Sequence, residues 1–147
     1  MIPEEFSEEF IKKLLVVLPF WHSKIVRPFK EILEGKMSLE TYYCLETLKQ
    51  RGPSTMTELA AALKVPKQQV TKLAGKLYEF RFVERVYDES DRRLIRIRLT
   101  ETADAYIADY YKKNADFARH LERLSKEDLL RLDQAVTLLA DVLPRLK

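Results

Sequence analysis

Glycine and cysteine are scarce in this chain. Only Gly35, Gly52 and Gly75 occur in 147 residues, no two of them close together. No glycine-rich loop is therefore available to cradle a phosphate or a dinucleotide. Cys44 is the single cysteine, which excludes an intrachain disulfide and a cysteine-built zinc site. The two histidines, His22 and His120, stand far apart at no metal-ligand spacing. Catalytic histidine motifs and a nucleophile elbow are also missing, so neither enzymatic activity, a cofactor nor a metal is expected. Long apolar runs are absent too. The longest, Leu14 to Trp21, is interrupted by Pro19 and flanked by Lys12, Lys13 and Lys24, far short of the roughly 20 apolar residues that cross a bilayer. A secretory signal would start positive, but Glu4, Glu5, Glu8 and Glu9 stand here instead. The expectation is a cytoplasmic protein with no membrane partner.

What is present points to a folded globular chain. Charged residues make up 33% and hydrophobic residues 46%, and the length suits one domain with its own core. The net charge of +3 hides an asymmetry. Ten basic and five acidic side chains lie between Lys64 and Arg98. That stretch carries +5, which leaves −2 for the rest of the chain. A basic middle between acidic flanks suits a localised polyanion site.

Periodicity orders the elements. Phe6, Phe10, Leu14, Leu18, Trp21, Ile25, Phe29 and Ile32 form one helical stripe from Pro3 to Leu33, with a kink or break expected near Pro19 and Pro28. Ser38 caps a second helix to about Gln50, with Met37, Thr41, Cys44, Leu45 and Leu48 facing inward. Thr55-Met56-Thr57-Glu58 is a capping box for a short helix through Leu63. Lys64-Val65 forms a turn, and a helix from about Pro66 to Phe80 turns Val70, Leu73 and Leu77 inward. The period then changes to two. Phe82–Tyr87 and Leu94–Leu99 read as strands joined by the polar loop Asp88 to Arg93. Thr100 caps a long helix to about Leu124, and Ser125 caps a last one.

A short helix, a tight turn, a second helix and a two-stranded ribbon make a winged helix-turn-helix. The fold class expected is mainly α with a small two- to three-stranded β wing and terminal dimerisation helices. A helix about 12 Å across enters the DNA major groove. On the 66–80 helix, Gln68 and Gln69 can offer paired groups to adenine edges. Lys67, Thr71, Lys72 and Lys76 can reach bases or phosphates. The 88–94 wing offers Arg92 and Arg93 to a neighbouring minor groove, whose negative potential attracts arginine. Asp91 can hold an arginine at the required angle through a bidentate pair.

The stretch from Leu77 through Phe80-Arg81-Phe82 to Asp91-Arg92-Arg93, ending in Leu99-Thr100, resembles the MarR family of bacterial transcriptional regulators. Glu58-Leu59-Ala60 is similar to the family's first motif helix. The resemblance implies a homodimer on double-stranded DNA with a palindromic site, a minor-groove role for Arg93 and a supporting role for Asp91. It implies base reading by the exposed positions from Lys67 to Lys72. It also implies an organisation in which 1–36 and 101–147 supply dimerisation helices and 37–100 the DNA-binding lobe of one domain, 1–147. The two apolar stripes on each terminal helix independently call for a partner surface. Two departures stand out: Arg81 occupies a position where the family often has glycine, and Glu101-Thr102-Ala103 replaces a common Lys-Gly.

Function is then expected to be that of a dimeric transcriptional regulator, a repressor released by a small ligand. The alternative is a winged-helix module for protein contacts without specific DNA binding. Trp21, His22, Tyr42 and Tyr43 combine apolar bodies with polar tips, suited to an aromatic or amphiphilic effector. The resemblance places effector pockets between the dimer helices and the DNA-binding lobes. Cys44 lies on an apolar helix face and reads as a buried small hydrophobe, not a redox sensor.

Overall fold

The computed structural model describes residues 1–146. The chain divides into two compact units, residues 1–112 and the residues from Lys113 on.

The first unit begins with α1 (Glu4–Trp21). Glu4 and Glu5 lie in its first turn, where negative charge complements the helix dipole. The helix runs through Pro19 without ending. The irregularity falls between the two prolines, as a π-helical turn at His22–Val26 that leads into α2 (Arg27–Ile32). Pro28 sits in the first turn of α2, and a proline ring presses on the carbonyl four residues earlier. That carbonyl belongs to Lys24, inside the π turn, where the wider ring of backbone bonds gives it room. Glu34 and Gly35, with φ of 53° and 71°, then reverse the chain.

In α3 (Leu39–Arg51) the Ser38 hydroxyl accepts the Thr41 N–H at 3.1 Å, as the cap requires. Met37, Thr41, Cys44, Leu45 and Leu48 are buried as expected, and Leu39 and Tyr42 join them. Gly52, at φ 83°, closes the helix by donating to the Leu48 carbonyl. Cys44 is fully buried, and that burial pushes its thiol up to about 11. The thiol is thus harder to ionise in the folded chain than in the unfolded one. Between the ordinary value and about 11 the folded state holds the extra proton, so the contribution to stability is complete below that window and is lost as pH rises through it. At pH 8 an aromatic disulfide reagent is expected to leave Cys44 unreacted until the chain is unfolded in guanidinium. Fast native-state labelling, followed by absorbance, would contradict this burial.

Helices α4 (Met56–Leu63) and α5 (Lys67–Glu79) follow. The Thr55 hydroxyl accepts the Glu58 N–H at 3.1 Å. The Glu58 carboxylate accepts from that hydroxyl at 3.2 Å, where a full capping box would have it reach the Thr55 N–H. Lys64, left-handed at φ 58°, makes the turn between the two helices. Val70, Ala74 and Leu77 are the buried face of α5, while Leu73, expected inside, is only half-buried.

The end of α5 accounts for the residue that departs from the family pattern. The Phe82 N–H reaches the Leu77 carbonyl and the Arg81 N–H reaches the Tyr78 carbonyl, both at 2.9 Å. This paired closure requires a left-handed residue, and Arg81 adopts it with φ 61°. A side chain there costs more than the flexibility a glycine adds to the unfolded chain. Arg81→Gly is therefore expected to stabilise the chain by about 1 kcal/mol, measured by urea denaturation.

Strands β1 (Val83–Tyr87) and β2 (Ile95–Leu99) pair antiparallel, with Val83 opposite Leu99 and Tyr87 opposite Ile95. Ser54 extends the ribbon as an isolated bridge, exchanging both backbone hydrogen bonds with Ile97 at 3.0 and 2.9 Å. A two-stranded ribbon is marginal alone. Here it rests on the core through Phe82, Val83 and Ile97. Thr100 ties the ribbon to α6 (Glu101–Lys113): its N–H donates to Phe82, its hydroxyl donates to Arg81, and that hydroxyl accepts the Ala103 N–H.

The long helix expected to reach Leu124 is interrupted. It stops at Lys113, and α7 (Ala115–Leu121) starts after Asn114, which sits at φ −79° and ψ 1°. Asparagine is a weak helix former, because its amide competes for nearby backbone groups. In the second unit α8 (Lys126–Val142) starts at Ser125, whose hydroxyl accepts the Asp128 N–H at 3.1 Å. A short 3₁₀ turn, Leu143–Arg145, follows. Leu130, Leu132, Val136, Leu138, Leu139 and Val142 are all exposed on α8, as are Phe6, Phe10, Ile11, Leu14, Leu15 and Leu18 on α1. No helix among the described residues is long and apolar enough to cross a membrane.

Candidate nucleic-acid interface

Helix α5 owes its outward face to its inward one. With Val70, Ala74 and Leu77 in the core, Lys67, Gln68, Gln69, Thr71, Lys72 and Lys76 are left exposed. Pro66 precedes the helix in an extended conformation, so α5 starts cleanly at Lys67. The Thr71 hydroxyl donates to the Lys67 carbonyl at 3.0 Å and keeps lone pairs for an incoming donor. Lys76 lies 3.7 Å from Glu79, a loose exposed pair that leaves the ammonium able to reorient.

The wing tip is shaped by two aspartates. One Asp88 oxygen accepts the Ser90 N–H at 2.9 Å, the Ser90 hydroxyl at 2.5 Å and the Asp91 N–H at 3.2 Å. The other meets Arg96 Nη1 at 2.6 Å. The Ser90 hydroxyl, Arg96 and the two backbone donors together hold the Asp88 carboxyl well below the usual carboxylate range. Asp91 accepts both the backbone N–H and Nε of Arg93 on the same oxygen, at 3.1 and 3.2 Å. This corrects the bidentate fork expected for the pair: one oxygen holds the base of the side chain, and the rest of the guanidinium stays open. Arg93 is 93% exposed and Arg92 is exposed beside it. Arg98 pairs with Glu84 across the strands at 2.7 Å, and Arg85 lies 5.7 Å over the Tyr78 ring, linking the ribbon to α5. Helix and wing thus belong to one packed body.

A second feature of the first unit is a largely apolar, open cavity of about 300 Å³. Trp21, Tyr42 and Tyr43 line it, together with Phe29, Tyr110 and Tyr111. His22, expected beside them, is not among the lining residues, although Ile25 and Val26 of the same π turn are. Glu46 also lines the cavity. It accepts the Tyr42 hydroxyl at 2.7 Å and the Tyr111 hydroxyl at 2.8 Å, one on each oxygen. Burial first, and then Glu46, raise the Tyr42 phenol, while Glu46 is the leading cause for Tyr111. Both phenols therefore stay protonated donors.

Sequence reasoning missed Asp88, Arg96 and Glu46. Asp88 and Arg96 become neighbours only through the hairpin register. Glu46 was within reach, four residues after Tyr42 on one helix face. Among the described residues no cluster of histidine, cysteine or carboxylate side chains could hold a metal.

Comparison with known proteins agrees with this architecture. Residues 37–95 match the model of the MarR family, a span that runs from the start of α3 into β2. The HTH-type transcriptional regulator YpoP of Bacillus subtilis is 29% identical over 94 residues, which cover 64% of this chain and 67% of YpoP. The transcriptional repressor MdtR of the same organism is 29% identical over 90 residues, covering 60% of this chain and 58% of MdtR. Among solved structures, a MarR family protein from Bacillus stearothermophilus superposes with a TM-score of 0.76 at 24% identity, covering 91% of this chain and 95% of the other. A MarR variant from E. coli, complexed with operator DNA, gives 0.71 at 20% identity, with 88% and 94% covered. The low identities of these two speak for the fold alone; residues 37–95 match the MarR family model, and the fold around them is the winged helix-turn-helix.

Proposed function

We propose that the chain is a cytoplasmic, dimeric, sequence-specific DNA-binding regulator of transcription that acts as a repressor. The observation that carries this reading is the joint exposure, on one packed body, of six polar side chains of α5 and the two wing arginines. Lys67, Gln68, Gln69, Thr71, Lys72 and Lys76 enter the major groove, with the glutamines reading bases and the lysines neutralising phosphate. Arg93, backed by Asp91, and Arg92 enter the adjoining minor groove. The operator DNA held by the E. coli MarR variant and the repressor designation of MdtR support the reading by analogy. Residues 1–36 and 101–147 supply the dimer surface, and the exposed leucines, valines and phenylalanines of α1 and α8 support that role. Two-fold pairing puts the half-sites about one helical turn apart. A small ligand in the aromatic cavity releases the DNA by preferring one arrangement of the dimer over another.

The test is selection from a random duplex pool at several salt concentrations, with sequencing of the bound fraction. An enriched palindrome and a steep loss of affinity with salt are expected. Unenriched, salt-insensitive binding would favour a winged helix that serves protein contacts instead.

A further inference from the structure

The cavity has an unusual balance of charge. Rings from Trp21, Phe29, Tyr42, Tyr43, Tyr110 and Tyr111 surround it, and its one formally charged side chain is the carboxylate of Glu46. No lysine, arginine or histidine is among the lining residues, although Lys24 and Arg27 lie on the same stretch of chain as the wall residues Ile25 and Val26. Hydrogen bonds fix the carboxylate, since Tyr42 and Tyr111 each hold one of its oxygens. The Tyr110 hydroxyl is committed to the Phe29 carbonyl at 2.9 Å. Ring faces carry negative electrostatic potential and attract cations, more strongly where water is excluded. An anion entering here would meet aromatic side chains and a carboxylate, with no basic side chain on the wall to pair with it. A neutral apolar molecule would gain burial but nothing from Glu46.

We propose that the cavity takes an organic monocation, a substituted ammonium carrying an aromatic or alkyl body, with its charge at Glu46 and its body against Trp21 and Phe29. This rests on the reading of the cavity as the effector site and names the chemical class that the site selects. Cation recognition by an aromatic cage with one carboxylate tolerates many bodies, because the rings contribute area and field and not a directional hydrogen-bond code. Specificity then lies in the sign of the charge.

Trp21 is the single tryptophan of the chain and stands on the cavity wall, so its fluorescence reports occupancy. The full chain is titrated with benzyltrimethylammonium, with its uncharged carbon isostere neopentylbenzene, and with phenylacetate. The cation is expected to bind at least about tenfold more tightly than either of the others. In Glu46→Gln, which keeps the side-chain shape and removes the charge, that preference is expected to shrink to what the rings alone supply. Equal or tighter binding of phenylacetate or neopentylbenzene would overturn the cation assignment and leave the cavity standing as a binding site. Silence of Trp21 toward all three would overturn the effector reading and the cation assignment together. A preference undiminished in Glu46→Gln would overturn the role given to Glu46. The comparison of probes on the unaltered chain needs no variant to fold, and it needs no DNA, so it fails or succeeds separately from operator recognition.

Discussion

Leu14→Glu in α1 and Leu139→Glu in α8 are each expected to yield monomers and to lower operator affinity by roughly 10²- to 10⁴-fold. Both leucines are exposed, and each lies within a continuous apolar stripe of its helix. A monomer rarely leaves such surface open beyond a few hundred Å². In the proposed dimer these side chains are covered by the partner, and a carboxylate there would be buried without a counter-charge. The large effect on DNA follows from geometry and not from any lost contact. Once one lobe is bound, the second meets its half-site at a high effective concentration, and a monomer forfeits that gain. Light scattering reads the oligomeric state and fluorescence anisotropy reads the affinity. A dimer that persists in both variants would remove the terminal helices from the interface.

Arg93→Ala is expected to weaken operator binding by roughly 10- to 100-fold and to reduce the slope of log affinity against log salt by about one. The side chain is 93% exposed, so its loss should leave stability nearly unchanged. Asp91→Ala provides the contrast. Asp91 touches the base of Arg93 through a single oxygen, and its exposed ion pair contributes little to folding. Removing it keeps the cation that neutralises phosphate but frees it to swing. A smaller loss of affinity with an unchanged salt slope is expected. Identical slopes in wild type and Arg93→Ala would show that this arginine never reaches the duplex.

Local rules made much of this fold legible. The caps at Ser38, Thr55 and Ser125, each a hydroxyl placed before an apolar-periodic run, stand where the pattern put them. The change from a period near four to a period of two located the ribbon within one residue at the start of each strand. The misses lie where one local preference yields to another. The two prolines marked an irregularity near them, but not that it would be a π turn between them. Asn114 reads as an ordinary surface residue within a periodic run, and the run conceals the break there. At the candidate interface, exposure of the α5 side chains followed directly from helical spacing. The aspartate-centred wing did not, because Asp88 and Arg96 meet only through the register of the hairpin. The cavity was half visible: its aromatic residues drew notice as a group, but the carboxylate between them did not.

The five-residue π turn carries one residue more than a regular helix would need over the same length. Each residue of an α-helix advances the side chains by about 100° around the axis. Everything from Glu4 to Trp21 is therefore rotated by about that angle from where an unbroken helix would carry it. Deleting one residue between His22 and Val26 would make the hydrogen bonding more regular but would turn the exposed stripe of Phe6, Phe10 and Leu14 away from the face it offers to the proposed partner. For this segment, length is information. Homologous chains should tolerate exchange of side chains within the turn far more readily than the loss or gain of a single position.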